Sequence, residues 1–385
     1  MNHFIYSPAA SYPCPYARLL RDDGVEVHRW SSDAEQAPVD RDPPSFLRGW
    51  NHVEVGADGY LYAIVPLRCV LKLDSCSNII WSATVPAHHD VCFSESLEML
   101  VLTEVVRLVT FDGRSVVVLD NEITIVDQLG EVTESISLLD ILRSNAATDG
   151  VLTEAVRRRD RVELRKDGGL EGLAQDDEAA DAVRQMLQTG EYDGEARYGL
   201  QLLRLLPGSP CDVIHTNSLE LLAYHPRDLW SPGDVLVSFR NLNMVAIINL
   251  ALRQVVWHWG VHSLSGQHQP SALPNGNILL LDNGVAERRS RVLEVDPVSG
   301  TIVWQYVGDP PSSFFTELAG GCERLENGNI LVSESQSATA FQVRRDGSIA
   351  WRYILDEAPT ADMRTTWYRF AWVNRDLVKK VCLTT

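Results

Sequence analysis

A repeat of 47 residues restricts the fold of this chain more than any other feature. In two of the repeats an Asn-Gly-Asn turn leads into an apolar run, and in each repeat a later apolar run ends at a tryptophan. The clearest turns are Asn275–Asn277 and Asn327–Asn329, and the evenly spaced tryptophans are Trp257, Trp304 and Trp351. Short alternating runs joined by Gly- and Asp-rich turns are typical of β-hairpins. A repeat of roughly 40 to 50 residues with about four strands is the size of one β-propeller blade.

The repeat predicts an all-β chain that forms a β-propeller of about six four-stranded blades. Five blades are expected at residues 50–83, 88–137, 212–259, 266–306 and 318–353. The N-terminal segment, residues 1–47, and the run Trp367–Val373 are expected to complete a further blade together and close the ring. The propeller is thus predicted to span residues 48–373, with a C-terminal tail at 374–385. We expect the repeated tryptophans to pack between blades.

Residues 138–206 interrupt the repeat. They contain the leucine-rich run 138–142, the basic cluster Arg157-Arg158-Arg159 and the acidic run Asp176-Asp177-Glu178. This mixture of leucines and charges predicts a helical, solvent-facing insertion between two blades, either a solvated excursion or a lid.

Composition and charge exclude several classes of partner. The chain has 34 Lys and Arg against 52 Asp and Glu, a net charge of −18. Sequence-independent binding to nucleic acid needs a field of basic residues, so we expect no nucleic-acid partner. The N-terminal residues lack the apolar region of a signal peptide, and no run is long enough for a membrane span. The seven cysteines are scattered, which predicts neither a disulfide framework nor a zinc site, so we expect a cytoplasmic protein with no membrane partner.

Three histidines lie at similar points of their repeats. His268 precedes the turn at Asn275 by seven residues, His89 has the same offset in its own repeat, and His215 follows a similar apolar strand. Equivalent positions of successive blades surround one central channel, so these residues are predicted to converge there. Each histidine alone also fits a structural role in a turn. Together they favour a functional site, because imidazoles act as nucleophiles, proton carriers or hydrogen-bond donors near neutral pH.

The motifs around these histidines resemble the PAPS-independent aryl-sulfate sulfotransferases, a propeller family. The resemblance covers roughly residues 48–373, and its motifs are His88-His89-Asp90, His215-Thr216-Asn217-Ser218, Ser238-Phe239-Arg240, Gly266-Gln267-His268, Asn275-Gly276-Asn277 and Asp282-Asn283-Gly284. It implies that His268 is a transiently sulfated nucleophile and that His89, His215 and Arg240 surround the sulfuryl group. It also implies that His88, Asn217 and Asn241 contact the substrate, although the family often has a histidine at the position of Asn241.

The resemblance implies a ping-pong sulfotransferase that uses neither a cofactor nor a metal. A sulfuryl group would pass from an aryl sulfate to His268 and then to a phenol or alcohol. Arg240 is suited to two of the sulfuryl oxygens, because a guanidinium presents a planar fork of donors. Two alternatives remain open from the sequence. One is a divergent propeller enzyme of secondary metabolism, such as a lyase, a cyclase or a metal-assisted enzyme, and the other is a non-catalytic binding scaffold.

Overall fold

The computed structural model describes residues 2–8, 15–32, 49–159, 162–164, 170–171, 178–189, 200, 203–204, 209–355 and 366–383. In this part of the chain the strands form six antiparallel sheets, which are the blades of a six-blade β-propeller. The predicted fold class is therefore confirmed. No helix in the described residues is long and apolar enough to cross a membrane.

The strands follow one another around the ring in chain order. The closing blade begins with β1 (His3–Pro8), β2 (Tyr16–Arg21) and β3 (Glu26–Ser31). Blade 1 has β4 (His52–Val55), β5 (Leu61–Val65), β6 (Cys69–Leu73) and β7 (Ile79–Ala83). Blade 2 has β8 (Ala87–Phe93), β9 (Met99–Phe111), β10 (Arg114–Val126) and β11 (Val132–Ser137), and the short strands β12 (Glu163–Leu164) and β13 (Leu170–Glu171) extend its sheet.

The remaining blades have four strands each. Blade 3 has β14 (Thr216–Leu221), β15 (Val235–Phe239), β16 (Met244–Asn249) and β17 (Gln254–Trp259). Blade 4 has β18 (His268–Ala272), β19 (Ile278–Asp282), β20 (Arg291–Asp296) and β21 (Thr301–Val307). Blade 5 has β22 (Gly321–Arg324), β23 (Ile330–Glu334), β24 (Thr339–Val343) and β25 (Ile349–Ile354). The last strand, β26 (Trp367–Val373), returns to the closing blade.

Pairing between the two ends of the chain closes the ring. β26 runs antiparallel to β1, with Phe4 opposite Trp372 and Ile5 opposite Ala371, and the sheet order is β26-β1-β2-β3. The rings of Phe4 and Phe370 lie 5.2 Å apart in the core beneath this seam. In the described residues, β1, β2 and β3 of the N-terminal segment thus share one sheet with β26.

Burial along each blade explains why some strands are continuous apolar runs in the sequence and why others alternate. Every residue of β15 and β19 is buried, because the neighbouring blades cover both faces of these strands. Such strands read as continuous apolar runs. The outer strand β21 is mostly exposed and alternates, because only one of its faces meets the adjacent blade.

The repeated tryptophans link neighbouring blades. At four boundaries in the described part of the chain, an indole on an outer strand donates its Nε1–H to a carbonyl in a turn of the next blade. These bonds are Trp81 to Gln128 (3.0 Å), Trp257 to Pro297 (2.9 Å), Trp304 to Arg345 (2.9 Å) and Trp351 to Asp22 (2.7 Å). Inter-blade packing is the role that the sequence predicts for these tryptophans, and the indole bond fixes the turns of each blade against its neighbour.

The insertion after blade 2 is helical, but its first helix is not solvated. Its helices are α1 (Leu138–Ser144), α2 (Ala146–Arg157) and α3 (Glu178–Thr189). The Ser137 hydroxyl accepts a hydrogen bond from the Asp140 amide and so caps α1. Leu138, Leu139, Ile141 and Leu142 are buried in a core shared with blades 2 and 3. The first helix of the insertion therefore packs between these two blades. Asp176 and Asp177 of the acidic run lie outside the described residues.

A helix also follows the last strand, where the sequence predicts only a tail. This helix, α4 (Arg375–Leu383), buries Val378 and Val381 against the core of blade 1 and the closing blade. Its N-terminus is capped by Asn374, whose side-chain oxygen accepts from the Leu377 amide at 2.9 Å.

Two glycines provide a matched test of the Asn-Gly-Asn turns. Gly276 and Gly328 have φ values of 82° and 83°, in the left-handed region. A Cβ at Gly328 would meet no atom within 4 Å, whereas one at Gly276 would lie 2.6 Å from His225 Nε2 and 2.9 Å from Pro226 Cγ. We expect Gly328→Ala to lower the free energy of unfolding by about 1 kcal/mol, from backbone strain alone. We expect Gly276→Ala to lower it by roughly 3 kcal/mol, because the clash adds to the strain. Equal losses in urea denaturation would contradict this account.

Candidate active site

Irregularities at the start of three inner strands present the predicted histidines. The pairing register shifts near His89 in β8, near Thr216 in β14 and just after His268 in β18. At these points the backbone turns left-handed, with φ of 62° at His89, 45° at His215 and 43° at Gln269. Bulges of this kind redirect side chains that would otherwise follow the strand alternation.

The structure brings the rings of these histidines together around Tyr368. The ring centroids of His89 and His215 are 4.9 Å apart, and that of His89 is 5.4 Å from Tyr368. The Tyr368 ring is in turn 6.3 Å from His268. Blades 2, 3 and 4 thus each contribute one histidine, and the closing strand contributes the tyrosine between them. The predicted convergence of His89, His215 and His268 is observed.

Hydrogen bonds fix the tautomer of His268. Its Nδ1 lies 2.7 Å from Asn283 Oδ1 and 3.1 Å from the Gly266 carbonyl oxygen. The Asn283 amide nitrogen donates to the carbonyls of Thr316 and Ala319, which orients its oxygen toward the histidine. Both groups facing Nδ1 are acceptors, so Nδ1 carries the proton and Nε2 keeps its lone pair. Burial and the nearby charge of Arg240 lower the pKa of His268 to about 3, so the ring is neutral.

His215 forms a dyad with Asp212. Its Nδ1 lies 2.5 Å from Asp212 Oδ2, so this histidine also presents Nε2 away from its partner. Burial lowers the pKa of His215, and the Asp212 carboxylate opposes that shift. Burial alone would raise the pKa of Asp212, but His215 and the nearby arginines hold it well below its ordinary value. The carboxylate is therefore placed to stabilise a proton on His215.

Arg240 lies on a short 3-10 turn directly after β15. Its backbone amide donates to the His215 carbonyl at 3.0 Å, which ties the arginine turn to the histidine loop. A Cβ built at Gly266 would be 3.7 Å from Arg240 Nη2, so the guanidinium lies against the backbone two residues before His268. Within the described residues, no carboxylate lies within ion-pair distance of Arg240, whose one side-chain partner there is the Asn241 amide oxygen at 3.2 Å.

The three residues implied as substrate contacts are engaged by the protein. His88 is buried, with Nε2 3.2 Å from the Thr103 carbonyl and Nδ1 2.6 Å from His89 Nδ1, so it supports His89 from behind. Asn241 donates to the Asp212 carbonyl at 2.6 Å and accepts from Arg240. Asn217 donates to the Gln267 carbonyl at 2.8 Å. In this structure they position the site residues, and their contact with a substrate stays a prediction.

Sequence reasoning missed three groups at this site. Tyr368 donates its hydroxyl to the Asn217 carbonyl at 2.8 Å, which holds the ring between His89 and His268. Arg204 belongs to the insertion and forms a buried two-bond ion pair with Glu104, and its charge contributes, after burial, to the lowered pKa of His88 and His89. Asp212 precedes His215 by three residues, the one spacing in this set that the sequence displays.

Comparison with known proteins places the chain in a family. It matches the arylsulfotransferase (ASST) family over residues 51–356. A comparison with curated proteins found no match. A protein of unknown function from Bacteroides caccae has a similar structure, with a TM-score of 0.52 and 11% identity over 97% of this chain and 99% of that one.

Two lyases are more distant structural neighbours. A streptogramin B lyase has a TM-score of 0.42 and 8% identity over 93% of this chain and 89% of that one. A virginiamycin B lyase from Staphylococcus aureus, in a structure with quinupristin, has a TM-score of 0.44 and 7% identity over 92% and 85%. At such identities structural similarity shows the fold alone. The family match is a match of sequence, and it covers most of the chain, including the segments that carry the histidine site. The chain therefore belongs to the arylsulfotransferase family.

Proposed function

We propose that this chain transfers a sulfuryl group from an aryl sulfate to a phenol or alcohol through a sulfated His268. Membership of the arylsulfotransferase family supports an enzyme of the transferase class that acts on small aryl compounds. The finer proposal rests on one observation: Arg240 is a partly buried cation without a carboxylate partner in the described residues, and it lies beside His268, whose Nε2 keeps its lone pair.

Arg240 supplies the binding site for the sulfonate. Burial lowers the pKa of this guanidinium, yet an arginine stays charged at neutral pH. A partly buried charge without a counterion is unfavourable, so an anionic sulfate ester that fills this place is bound strongly. The planar fork suits two of the sulfonate oxygens.

In the first step His268 Nε2 attacks the sulfur. The Nε2–S bond forms, the bond from sulfur to the aryl oxygen breaks, and its electron pair leaves with the phenol oxygen. The departing oxygen takes a proton from His215, whose protonated form Asp212 stabilises. The sulfated imidazole ring carries positive charge at Nδ1–H, which Asn283 Oδ1 and the Gly266 carbonyl accept.

In the second step an acceptor hydroxyl attacks the same sulfur. Its proton passes to His215 Nε2, the new S–O bond forms, and the Nε2–S electron pair returns to His268. The proton balance of His215 is thereby restored. Sulfuryl transfer, like phosphoryl transfer, depends mainly on positioning and on fixed donors around the equatorial oxygens. Arg240 is the donor, and Asn283, Asp212 and Asn241 position His268, His215 and Arg240 as hydrogen-bond acceptors.

The geometry does not favour a metal shared by the three histidines. In the described residues, one group has ligand atoms within 4.8 Å of one another, His52 with Glu54 and Asp90, and it does not include His89, His215 or His268. The metal-assisted alternative therefore lacks a ligand set at this site.

Replacing the nucleophile tests the proposal directly. We expect His268→Asn to reduce nitrophenol release from nitrophenyl sulfate, with phenol as acceptor, by at least about 10³-fold, because no group remains to form the intermediate. The wild type, mixed with donor alone, should gain the mass of one SO₃, and the variant should not. The exposed His262 offers a matched control, since His262→Asn removes an imidazole outside the site. Equal activities of the two variants would overturn the proposal.

Replacing the guanidinium by an ammonium separates charge from geometry. Arg240→Lys keeps one positive charge but loses the two-pronged contact, so we expect kcat/KM for the donor to fall about 10²-fold. Arg253 pairs with Glu134 on the outer surface, and Arg253→Lys should leave the rate unchanged. Steady-state kinetics with nitrophenyl sulfate show whether the donor is bound by the planar guanidinium or by the positive charge alone.

The His215–Asp212 pair should affect the pH dependence of the reaction rate. Asp212 opposes the fall in the pKa of His215, so removing its charge lowers that pKa further. In Asp212→Asn we therefore expect the acid limb of the kcat/KM profile for the acceptor, the step in which His215 acts as a base, to move to lower pH, and kcat itself to fall by about 10²-fold or more. The exposed Glu287 provides a control for the loss of one negative charge, as Glu287→Gln. An acid limb that does not move in Asp212→Asn would exclude His215 as the proton carrier.

A further inference from the structure

Three glutamates occupy one equivalent position on alternate blades. Glu54 pairs with Tyr62, Glu220 with Leu236 and Glu323 with Leu331, and each partner is the second residue of the adjoining strand. The intervening blades have Cys92, Ser271 and Trp372 at this position. Because the register is the same, these six positions form a ring around the channel, and every second position is a glutamate.

These glutamates line one cavity. The cavity has a volume of about 330 Å³, and its walls come from the inner strands of all six blades. Glu54, Glu220 and Glu323 all lie in the walls, together with Asp90 and Arg369. A volume of this size holds an ion with several water molecules. It is separate from the histidine site, none of whose rings lines it.

Among the residues that line the cavity, cationic side chains are fewer than carboxylates. Arg369 lines the cavity, but it already forms an ion pair with Asp90, in which Nη1 and Nη2 each lie 3.1 Å from a carboxylate oxygen. Glu220 accepts the Ala272 amide and Glu323 accepts the Trp372 amide. No lysine or arginine forms an ion pair with Glu54, Glu220 or Glu323 in the described residues. Three partly buried carboxyl groups thus line one cavity, and none of them forms an ion pair with a lysine or arginine in the described residues.

A neutral ligand group faces the same cavity. Ser218 lies two residues before Glu220, so both project from the same face of β14. Its side chain is 98% buried and lines the cavity, and its hydroxyl has no hydrogen-bond partner among the described residues. A buried hydroxyl without a partner is unfavourable, and a ligand in the cavity would satisfy it. The nearby His52, Glu54 and Asp90 bring their ligand atoms within 4.8 Å of one another.

We propose that the channel cavity binds a hydrated hard divalent cation, whose water shell is held by the carboxylates of Glu54, Glu220 and Glu323 and by the Ser218 hydroxyl. Carboxylate and hydroxyl oxygens are the ligands that Ca²⁺ and Mg²⁺ prefer. The ion would supply the charge that Arg369 does not, and it would connect strands of blades 1, 3 and 5 across the channel. This site is independent of the sulfuryl-transfer proposal, because it shares no residue with it.

Calorimetric titration tests the site with the metal alone. The intact chain, stripped with a chelator, should bind Ca²⁺ or Mg²⁺ saturably at one site. The double variant Glu220→Gln with Glu323→Gln should weaken that binding about tenfold or more, because two of the three charges are removed. The glutamines keep an oxygen for the Ala272 and Trp372 amides, so the fold should persist. Glu326→Gln, at an exposed position, controls for the loss of charge.

A second measurement keeps the proposal testable if the double variant does not fold. Terbium ions replace Ca²⁺ and emit when a nearby indole is excited, and Trp372 lies in the cavity wall. The wild type should sensitise terbium emission that added Ca²⁺ displaces, and Trp372→Phe should reduce it. Absence of saturable binding of either metal to the wild type would overturn the proposal, and so would unchanged affinity in the double variant.

Discussion

The pairing of β26 with β1 is the interaction on which the rest of the molecule depends. Five blades are continuous in sequence, but the sixth exists only when Trp367–Val373 joins strands from the other end of the chain. The same strand delivers Tyr368 to the histidines and Arg369 to Asp90. Ring closure therefore builds the walls of both the histidine site and the channel cavity, as well as completing the core.

Strand alternation divides the channel into two electrostatic environments. Tyr368 and Arg369 are neighbours and project to opposite sides, so one meets His89 and His268 while the other meets Asp90. On the tyrosine side, Arg240 has no carboxylate partner in the described residues; on the arginine side, Glu54, Glu220 and Glu323 have no lysine or arginine partner there. The net charge of −18 gives no indication of this division, because it sums over both sides and the surface.

The sequence predicts the ring and the meeting of the histidines, since repeat spacing and register are local properties that propeller symmetry carries into space. It cannot predict groups whose position depends on where an irregular segment turns. Arg204 arrives from the insertion, Tyr368 from the closing strand, and the buried α1 wedges two blades where charge content indicates a solvated segment. The glutamates of the channel are an intermediate case. They lie at equivalent positions of alternate blades, but the bulges near His89 and His268 hide this equivalence in the sequence until the strand pairs are known.

The boundary between blades 2 and 3 differs from the four that an indole bridges. There Arg253 bonds Glu134, and α1 packs where a tryptophan stands elsewhere in the described ring. The insertion also holds this boundary through Arg159, which donates to the Asp212 carbonyl at 3.0 Å. Sequence changes in the insertion thus act on the His215–Asp212 pair through the Asp212 carbonyl. Asn241 donates to the same carbonyl and accepts from Arg240, so a change in the insertion also reaches the guanidinium.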